Sequence, residues 1–302
     1  MKIGVIGLGN IFQKAYLPAM LLMQDKVEWH FYTRKKEKAE ALQSQYGLQH
    51  FYTDLNEWIA SGIEAAFVHV ATDVHGEIIR HLLEHGISVY VDKPISERLA
   101  ETEALVKLAE EKGQLLTTGF NRRFAPMVQE LKKIPDKNMM VIQKNRVKSI
   151  KPVRYAIYDL FIHVVDTALY LLDDEIVSFQ SYIVAEEGML QRVWLTLETS
   201  STSCFVSMNT AAGANEEVME VQSPSGTARL VDLTEYTALS DGKKEAKFFG
   251  DWDATVYKRG FTTSIEQFVA GLQTQENPVS TSSSVRSHFI CEEIIQQWEI
   301  NQ

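Results

Sequence analysis

The stretch Lys2–Phe12, KIGVIGLGNIF, constrains this chain more than any other. Ile3, Val5 and Ile6 read as a buried strand that runs into Gly7-Leu8-Gly9 and then into a helix. The first glycine admits a tight turn, and the second lets backbone amides approach an anion closely. The helix that follows offers that anion unpaired N–H groups and the positive end of its dipole. This is how a dinucleotide-binding α/β domain begins. The third glycine of that fingerprint is absent, because Phe12 holds its position, so strand and helix must pack around a large ring. A glycine-rich turn alone also fits an ordinary bend, and the alternation of strands and helices that follows has to decide.

That alternation is present. Val27–Tyr32 is an aromatic-rich strand, Ala39–Tyr46 a helix stopped by Gly47, and His50–Tyr52 a short strand before a helix over Asp54–Ala60. Ala65–Ala71 is a continuous apolar run, as expected of a parallel strand covered on both faces, and His69 within it reads as a hydrogen-bonded core residue. A helix over Val74–His85, a strand over Ser88–Asp92, a helix over Glu97–Lys112 and a strand over Gln114–Phe120 complete the series. The rhythm predicts a doubly wound parallel sheet, with ligand outside the carboxyl ends of its strands. Lys93 stands at one of those ends, and Pro94 keeps it out of a helix.

The tip of the second strand bears on the cofactor. Domains that bind NAD usually place an acid there for the ribose hydroxyl, whereas this chain has Thr33-Arg34-Lys35-Lys36. Cations in the first turn of a helix are disfavoured by its dipole, so an anion held there explains them. The 2′-phosphate of NADP is such an anion, and NADP is preferred to NAD on this ground. The alternative is a solvated basic turn relieved by Glu37.

With 302 residues and a net charge of −10, the chain has room for about two domains and lacks the basic surface that nucleic acid or an anionic membrane would need. Cys204 and Cys291 lie far apart and outside any metal-binding spacing, so no disulfide framework and no metal ligands are assigned. No signal-like segment precedes the first strand, and no apolar run approaches the roughly 20 residues needed to span a bilayer. A cytoplasmic protein is the expectation.

From Met139 onward the pattern changes to alternating strands, over Met140–Lys148, Ile176–Ala185, Gln191–Thr199, Ser203–Thr210, Glu217–Gln222 and Ala228–Asp232, with two more before Gly250. A largely antiparallel sheet in an α+β domain follows from that run, with an open face suited to a partner subunit. A helix over Tyr158–Leu172 interrupts the strands and sets Asp159, His163 and Asp166 on one stripe. Helices over Thr262–Leu272 and Ser282–Trp298 carry core spacings. Lys144, Arg146 and Lys148 alternate onto one strand face ahead of Lys151 and Arg154. That segment reads as a charge-protected edge or as a wall for an acidic or phosphorylated substrate.

In order, four stretches resemble the Gfo/Idh/MocA oxidoreductases across nearly the whole chain. Gly7-Leu8-Gly9-Asn10-Ile11 is similar to that family's cofactor turn, and His75-Gly76-Glu77 through Glu84-His85-Gly86 to Asp92-Lys93-Pro94 is similar to its central series, with Asp92 in place of the usual Glu. Gly119-Phe120-Asn121-Arg122-Arg123-Phe124-Ala125-Pro126 resembles its domain junction, and Asp159, His163 and Asp166 match its Asp/His helix. The departures are Phe12, the loop Thr72-Asp73-Val74, and Ala156, Ile157, Tyr158 and Phe161 where glycines are common. Such bulk narrows a pocket.

The resemblance implies a Rossmann domain over residues 1–120 and an α+β substrate-binding and oligomerisation domain over residues 121–302, assembled as a homodimer or homotetramer. It implies an oxidoreductase that uses NADP or NAD and moves a hydride to or from a hydroxyl or carbonyl carbon of a sugar, polyol or related small molecule. Cofactor contacts fall to Gly7, Gly9, Asn10, Ile11, Thr33, Arg34, Lys35, Thr72, His75, Asp92, Lys93, Pro94, Asn121 and Arg123. Catalysis falls to Lys93, His163 and Asp159, with either Lys93 or His163 as the base, Asp159 positioning the substrate or the imidazole, and Asp166 as a structural partner. A cofactor-binding regulator without turnover is the rival reading, suggested by Tyr158 and Phe161.

Overall fold

The computed structural model describes residues 1–300, which form two compact units. One comprises Met1–Gly119 with Phe261–Val285; the other comprises Phe120–Gly260 and the chain from Arg286 on.

The first unit is built on a sheet of six parallel strands, β1 (Lys2–Ile6), β2 (Glu28–Tyr32), β3 (Phe51–Tyr52), β4 (Ala65–Val68), β5 (Ser88–Val91) and β6 (Leu116–Thr118), in the order β3-β2-β1-β4-β5-β6. β4 and β5 are buried along their whole length, as their unbroken apolar sequence requires of strands covered by helices on both faces. One apolar layer gathers Ile3, Val5, Phe12, Phe31 and Phe67, and the other gathers Ile6, Trp58, Val68, Val91 and Leu105. The order reverses beside β1, which places the switch point at the Gly7 turn.

The helix Phe261–Thr274 belongs to this unit although it lies far along the chain. Ile265, Phe268 and Val269 enter the first apolar layer, Phe268 meets the rings of Phe67 and Tyr90 edge-on, and Tyr90 shares a 2.7 Å hydrogen bond with Ser264.

The second unit carries an eight-stranded sheet. Its strands are β7 (Met139–Asn145), β8 (Ser178–Glu186), β9 (Met189–Glu198), β10 (Ser203–Asn209), β11 (Glu216–Ser223), β12 (Gly226–Val231), β13 (Glu235–Ser240) and β14 (Lys243–Lys247). The order is β14-β13-β12-β11-β7-β10-β9-β8, antiparallel except where β10 runs parallel to β7. Burial alternates along β7, β9 and β10, so one face is core and the other is not. On that other face Trp194 stacks between Tyr182 and Phe205, at 6.1 and 6.3 Å between ring centroids.

β7 stops at Asn145, short of the strand expected to reach Lys148. Lys148 takes a left-handed backbone, φ 47°, and Lys144 turns inward to lie 4.0 Å from Glu217. The row of Lys144, Arg146 and Lys148 on one strand face therefore does not form. Arg154 is held by Glu292 through hydrogen bonds of 2.8 and 2.9 Å, and the wall of cations suited to an acidic substrate loses its outer members.

Candidate active site

Gly7 ends β1 with φ 93°, and a Cβ there would lie 2.3 Å from the carbonyl carbon of His69. The close passage of the chain after β4 thus demands glycine. At Gly9 a Cβ would meet nothing within 4 Å, so the protein's own packing leaves the space above it open. That is the arrangement a pyrophosphate needs, since backbone amides are presented without a side chain in front of them. Phe12 opens a π-helical turn, Phe12–Tyr16, that continues into the α-helix Leu17–Leu21. Its ring is fully buried, edge-on to Phe31, so the widened turn houses the bulk that replaces the third glycine. Asn10 and Ile11 follow the turn and are exposed.

Around the turn lies a cleft of about 550 Å³, walled by the ends of β1, β2 and β4. Thr33, Arg34, Lys35 and Lys38 line its rim, and Glu77 contributes a carboxylate from the helix His75–Glu84. The helix after β2 begins at Lys36 with Lys35 as its N-cap, so Arg34 and Lys35 precede the first turn instead of occupying it. Lys36 turns to Glu40, 3.7 Å away, and leaves the cleft to its neighbours. Lys38, in the first turn of that helix, was not singled out by the sequence; its place just after the basic run Arg34-Lys35-Lys36 was the available signal.

Thr72, His75, Asp92, Lys93 and Pro94 gather past the carboxyl ends of β4 and β5. The His75 ring ties the two loops together, with Nδ1 2.8 Å from the Pro94 carbonyl and Nε2 3.1 Å from that of Val70. Thr72 lies in the single turn Thr72–Val74 between them. The Lys93–Pro94 peptide is cis. Asp92 accepts from the Lys93 amide at 3.0 Å and from the Tyr16 hydroxyl at 3.3 Å. Burial raises the Asp92 carboxyl, against the lowering effect of the Lys93 charge.

His69 departs from expectation. It is core, but neither ring nitrogen has a hydrogen-bond partner among the described residues; instead the ring packs against Tyr16 at 3.9 Å between centroids. Burial drives its pKa down to about 3, so it is a neutral ring.

In the second unit the sequence Asn121-Arg122-Arg123-Phe124 forms a single 3₁₀ turn. Asn121 donates to the Arg259 carbonyl at 2.8 Å. Arg123 makes a two-pronged pair with Asp166, Nε to Oδ2 at 3.0 Å and Nη2 to Oδ1 at 2.6 Å, and Ser287 donates to the same carboxylate at 2.8 Å. Both side chains proposed as cofactor contacts are thereby engaged inside this unit. Arg122 holds Glu217 the same way, through Nε at 2.5 Å and Nη2 at 2.7 Å, and places Nη1 2.6 Å from His163 Nδ1. Burial alone would raise the Glu217 carboxyl, but the charge and hydrogen bonds of Arg122, with Lys144, take it down to about 2.

Asp159, His163 and Asp166 lie on a helical run of Val153–Ala156, a π-helical turn over Ile157–Phe161 and Ile162–Leu171. The wider turn falls at Asp159, a distortion often found where a side chain has a task. Asp166 is 1% exposed, whereas Asp159 and His163 are half-buried, so the stripe divides into an interior member and two that reach the surface. Tyr158 and Phe161 are fully buried, and the Tyr158 hydroxyl donates to Glu292 at 2.7 Å. Their bulk goes into the core of the unit, which removes the steric reason for a protein without turnover. Arg122 and Glu217 are the members of this cluster that the sequence did not single out as functional.

A separate group lies at the other end of β2, where the donor atoms of Glu28, His30 and His50 come within 4.8 Å of one another. Both nitrogens of His30 are engaged, Nε2 with Glu28 at 2.7 Å and Nδ1 with the Tyr52 hydroxyl at 3.0 Å. No metal ligands were assigned there from the sequence.

Comparison with known proteins gives matches over both units. Residues 1–120 match the model of the oxidoreductase family with an NAD-binding Rossmann fold, and residues 126–241 match that of the YceM-like C-terminal domain. The chain is 30% identical over 282 residues to YceM of Salmonella typhimurium, covering 92% of this chain and 91% of that one. It is 26% identical over 258 residues to an inositol 2-dehydrogenase of Rhizobium meliloti, covering 78% of each. Among solved structures, a dehydrogenase (MviM) from Clostridium difficile superimposes with a TM-score of 0.90 at 29% identity, over 98% of this chain and 99% of that one.

Proposed function

This chain belongs to the Gfo/Idh/MocA oxidoreductases, in their YceM-like branch, and from that premise we propose an NAD(P)-dependent enzyme, NADP-preferring, that acts on a hydroxyl or carbonyl carbon of a polyol or sugar. One observation carries the cofactor reading: an open glycine turn whose cleft is rimmed by Arg34, Lys35 and Lys38. An adenosine ribose bearing a 2′-phosphate matches that rim, whereas an unphosphorylated ribose would ask for an acid at the β2 tip. A relative that is named an inositol 2-dehydrogenase supports a polyol as substrate, and the pairing of Lys144 and Arg154 within the unit weakens the case for an acidic one.

The bound cofactor supplies the hydride acceptor or donor, and the protein supplies the rest. Gly7 and Gly9 with the Arg34, Lys35 and Lys38 cations would hold the cofactor's phosphates. Asp92 and His75 fix the segment that carries Lys93, with Thr72 and Pro94 in the same loops. Lys93 in the first unit, and His163 and Asp159 in the second, are the side chains we assign to proton transfer, each from its place in its own unit. The row of Tyr182, Trp194 and Phe205 on the β8–β10 face is apolar enough to seat a second copy, and we assign the oligomer to this sheet.

A panel of polyols and carbonyl compounds, assayed with NADPH and NADH, tests the reading. Turnover of a polyol or its ketone is expected. Tight NADPH binding with no turnover of any member would overturn the enzyme assignment, and monomer mass by light scattering at micromolar concentration would overturn the oligomer.

A further inference from the structure

We propose that Glu28, His30 and His50 form a binding site for one divalent transition-metal cation of the zinc class, which clamps the edge strand β3 to β2. Strand geometry brings the three together. Glu28 and His30 stand two apart on β2 and so share one face of the sheet. β3 pairs with β2 through Phe31 with Phe51 and Tyr32 with Tyr52, which sets His50 and Tyr52 on the His30 face. Their rings lie nearly parallel to that of His30, at 4.8 and 5.6 Å between centroids. The head of β3 is pinned as well, since the Phe31 amide donates to the His50 carbonyl at 2.9 Å.

Two imidazoles and one carboxylate suit zinc and its neighbours, whereas calcium and magnesium take oxygen ligands. With three protein donors, the fourth place falls to water. A cavity of about 160 Å³, lined by Glu28 and His50 with Gln24 and Gln49, gives that water room and polar neighbours. The donor atoms already lie within 4.8 Å of one another. Zinc sets tetrahedral nitrogen and oxygen donors about 3.4 Å apart, so Glu28 and His30 need to part from 2.7 Å by only about 0.7 Å. His50 makes the larger move. Imidazole lone pairs lie in the ring plane, so two stacked rings cannot share an ion, and the exposed His50 ring must turn out of the stack.

His30 is 2% exposed, and both its nitrogens have partners suited to the exchange. Without the ion, Nε2–H donates to Glu28 at 2.7 Å and Nδ1 accepts from the Tyr52 hydroxyl at 3.0 Å. With it, Nε2 gives its lone pair to the metal, the one ring proton moves to Nδ1, and Nδ1–H donates to the Tyr52 oxygen. The ring stays neutral, and the half-buried Tyr52 turns its own proton to water. Metal-bound imidazoles are commonly held by such a bond from the second nitrogen. Lys2 faces the site 3.9 Å from Glu28 and also reaches the Ser61 carbonyl at 3.3 Å, so it keeps a partner when the metal takes the carboxylate.

Glu28 begins β2, about 13 Å along the strand from Tyr32 at the cofactor cleft, so the ion would not touch the reacting atoms. Its effect is on the sheet edge. β3 is held by two residue pairs alone, and an ion shared by β2 and His50 binds only the folded chain, which raises stability by mass action.

In the test, zinc chloride alone is titrated calorimetrically into the untagged full chain in metal-free buffer, and melting is followed in parallel. One bound equivalent is expected, with a melting temperature that climbs as free zinc rises. Glu28→Gln and His50→Ala change exposed positions and leave His30 in the core, so each variant should melt as a folded protein while losing both the bound equivalent and the climb. Tyr52→Phe removes the acceptor for Nδ1–H and should weaken binding about ten- to a hundredfold. Cobalt(II) in place of zinc should show the visible absorption of a four-coordinate site, lost on His50→Ala. No saturable binding, or an equivalent that survives in both Glu28→Gln and His50→Ala, overturns the proposal. So does an equivalent lost on His81→Ala, which would assign the metal to the His81 and His85 rings, 4.5 Å apart on another helix. Neither cofactor nor substrate enters the measurement, so its outcome is independent of the enzyme assignment.

Discussion

Arg123 meets Asp166 side-on, donating from Nη2 and Nε through two hydrogen bonds of 2.6 and 3.0 Å, with both side chains less than a tenth exposed. A pair this buried is costly to break from one side, because the survivor keeps its charge without a partner or water. Asp166→Ala should destabilise the protein by about 3 to 5 kcal/mol in urea melts. The joint replacement Arg123→Met with Asp166→Leu should recover most of the loss, since apolar side chains of similar volume need no partner. A double variant as unstable as the single one would show that the pair organises more than itself. The same double variant addresses the cofactor role read for Arg123 from the family resemblance. Unchanged NADPH affinity would confine Arg123 to the architecture.

Arg34 and Lys38 make cofactor choice a measurable quantity. NADPH should bind more tightly than NADH, and Arg34→Ala should weaken NADPH by roughly ten- to a hundredfold while changing NADH little, since a charge-assisted contact to phosphate is worth about 1.5 to 3 kcal/mol. Lys38→Ala should move the ratio in the same direction. Equal affinities for the two cofactors in the unmutated protein would remove the basis for NADP.

The parallel sheet was legible because each of its strands announces itself locally, β4 and β5 as unbroken apolar runs and β1 by the glycines that end it. The helix Phe261–Thr274 was legible as core from Ile265, Phe268 and Val269, but spacing says which residues are buried and not against what, and its partners Phe67 and Tyr90 lie about two hundred positions earlier. The Asp159/His163/Asp166 stripe could be placed on one helix, yet the π-helical turn at Ile157–Phe161 has no sequence signature that periodicity detects. Arg122 was hidden for a similar reason. Two consecutive arginines look interchangeable in a sequence, and only the turn over Asn121–Phe124 sends one to Asp166 and the other to Glu217 and His163.

His69 ties stability to pH. Its ring is held neutral by burial, with a pKa of about 3 against about 6.5 in an unfolded chain. Above pH of about 6.5 both states are uncharged and the native state bears no penalty; as pH falls below that value the unfolded chain takes up a proton that the folded one refuses, and stability declines toward pH of about 3. At pH of about 5 the loss from this residue is about 2 kcal/mol. Urea melts of the wild type and His69→Phe at both pH values isolate it, because the phenyl ring keeps the contacts with Tyr16 and Phe67 and has nothing to titrate. The advantage of His69→Phe should grow as pH falls. A difference that stays constant between the two conditions would mean that the folded protein takes up the His69 proton as readily as the unfolded chain does.

Lys93 carries the heaviest chemical load in the proposed reaction. It follows β5 directly, at the carboxyl edge of the parallel sheet where doubly wound folds bind their ligands, and its backbone is held by the Asp92 carboxylate, which also accepts from Tyr16. Lys93→Met keeps much of the bulk and removes both the charge and the proton acceptor. If the amine is the base, turnover should fall by about 10² to 10⁴ while NADPH affinity, measured by fluorescence quenching, changes little. An added primary amine should restore part of the activity of the smaller variant Lys93→Ala, because the deleted group is then supplied from solution. A loss of cofactor binding equal to the loss of turnover would assign Lys93 to holding the cofactor, and unaltered turnover would remove it from the reaction altogether.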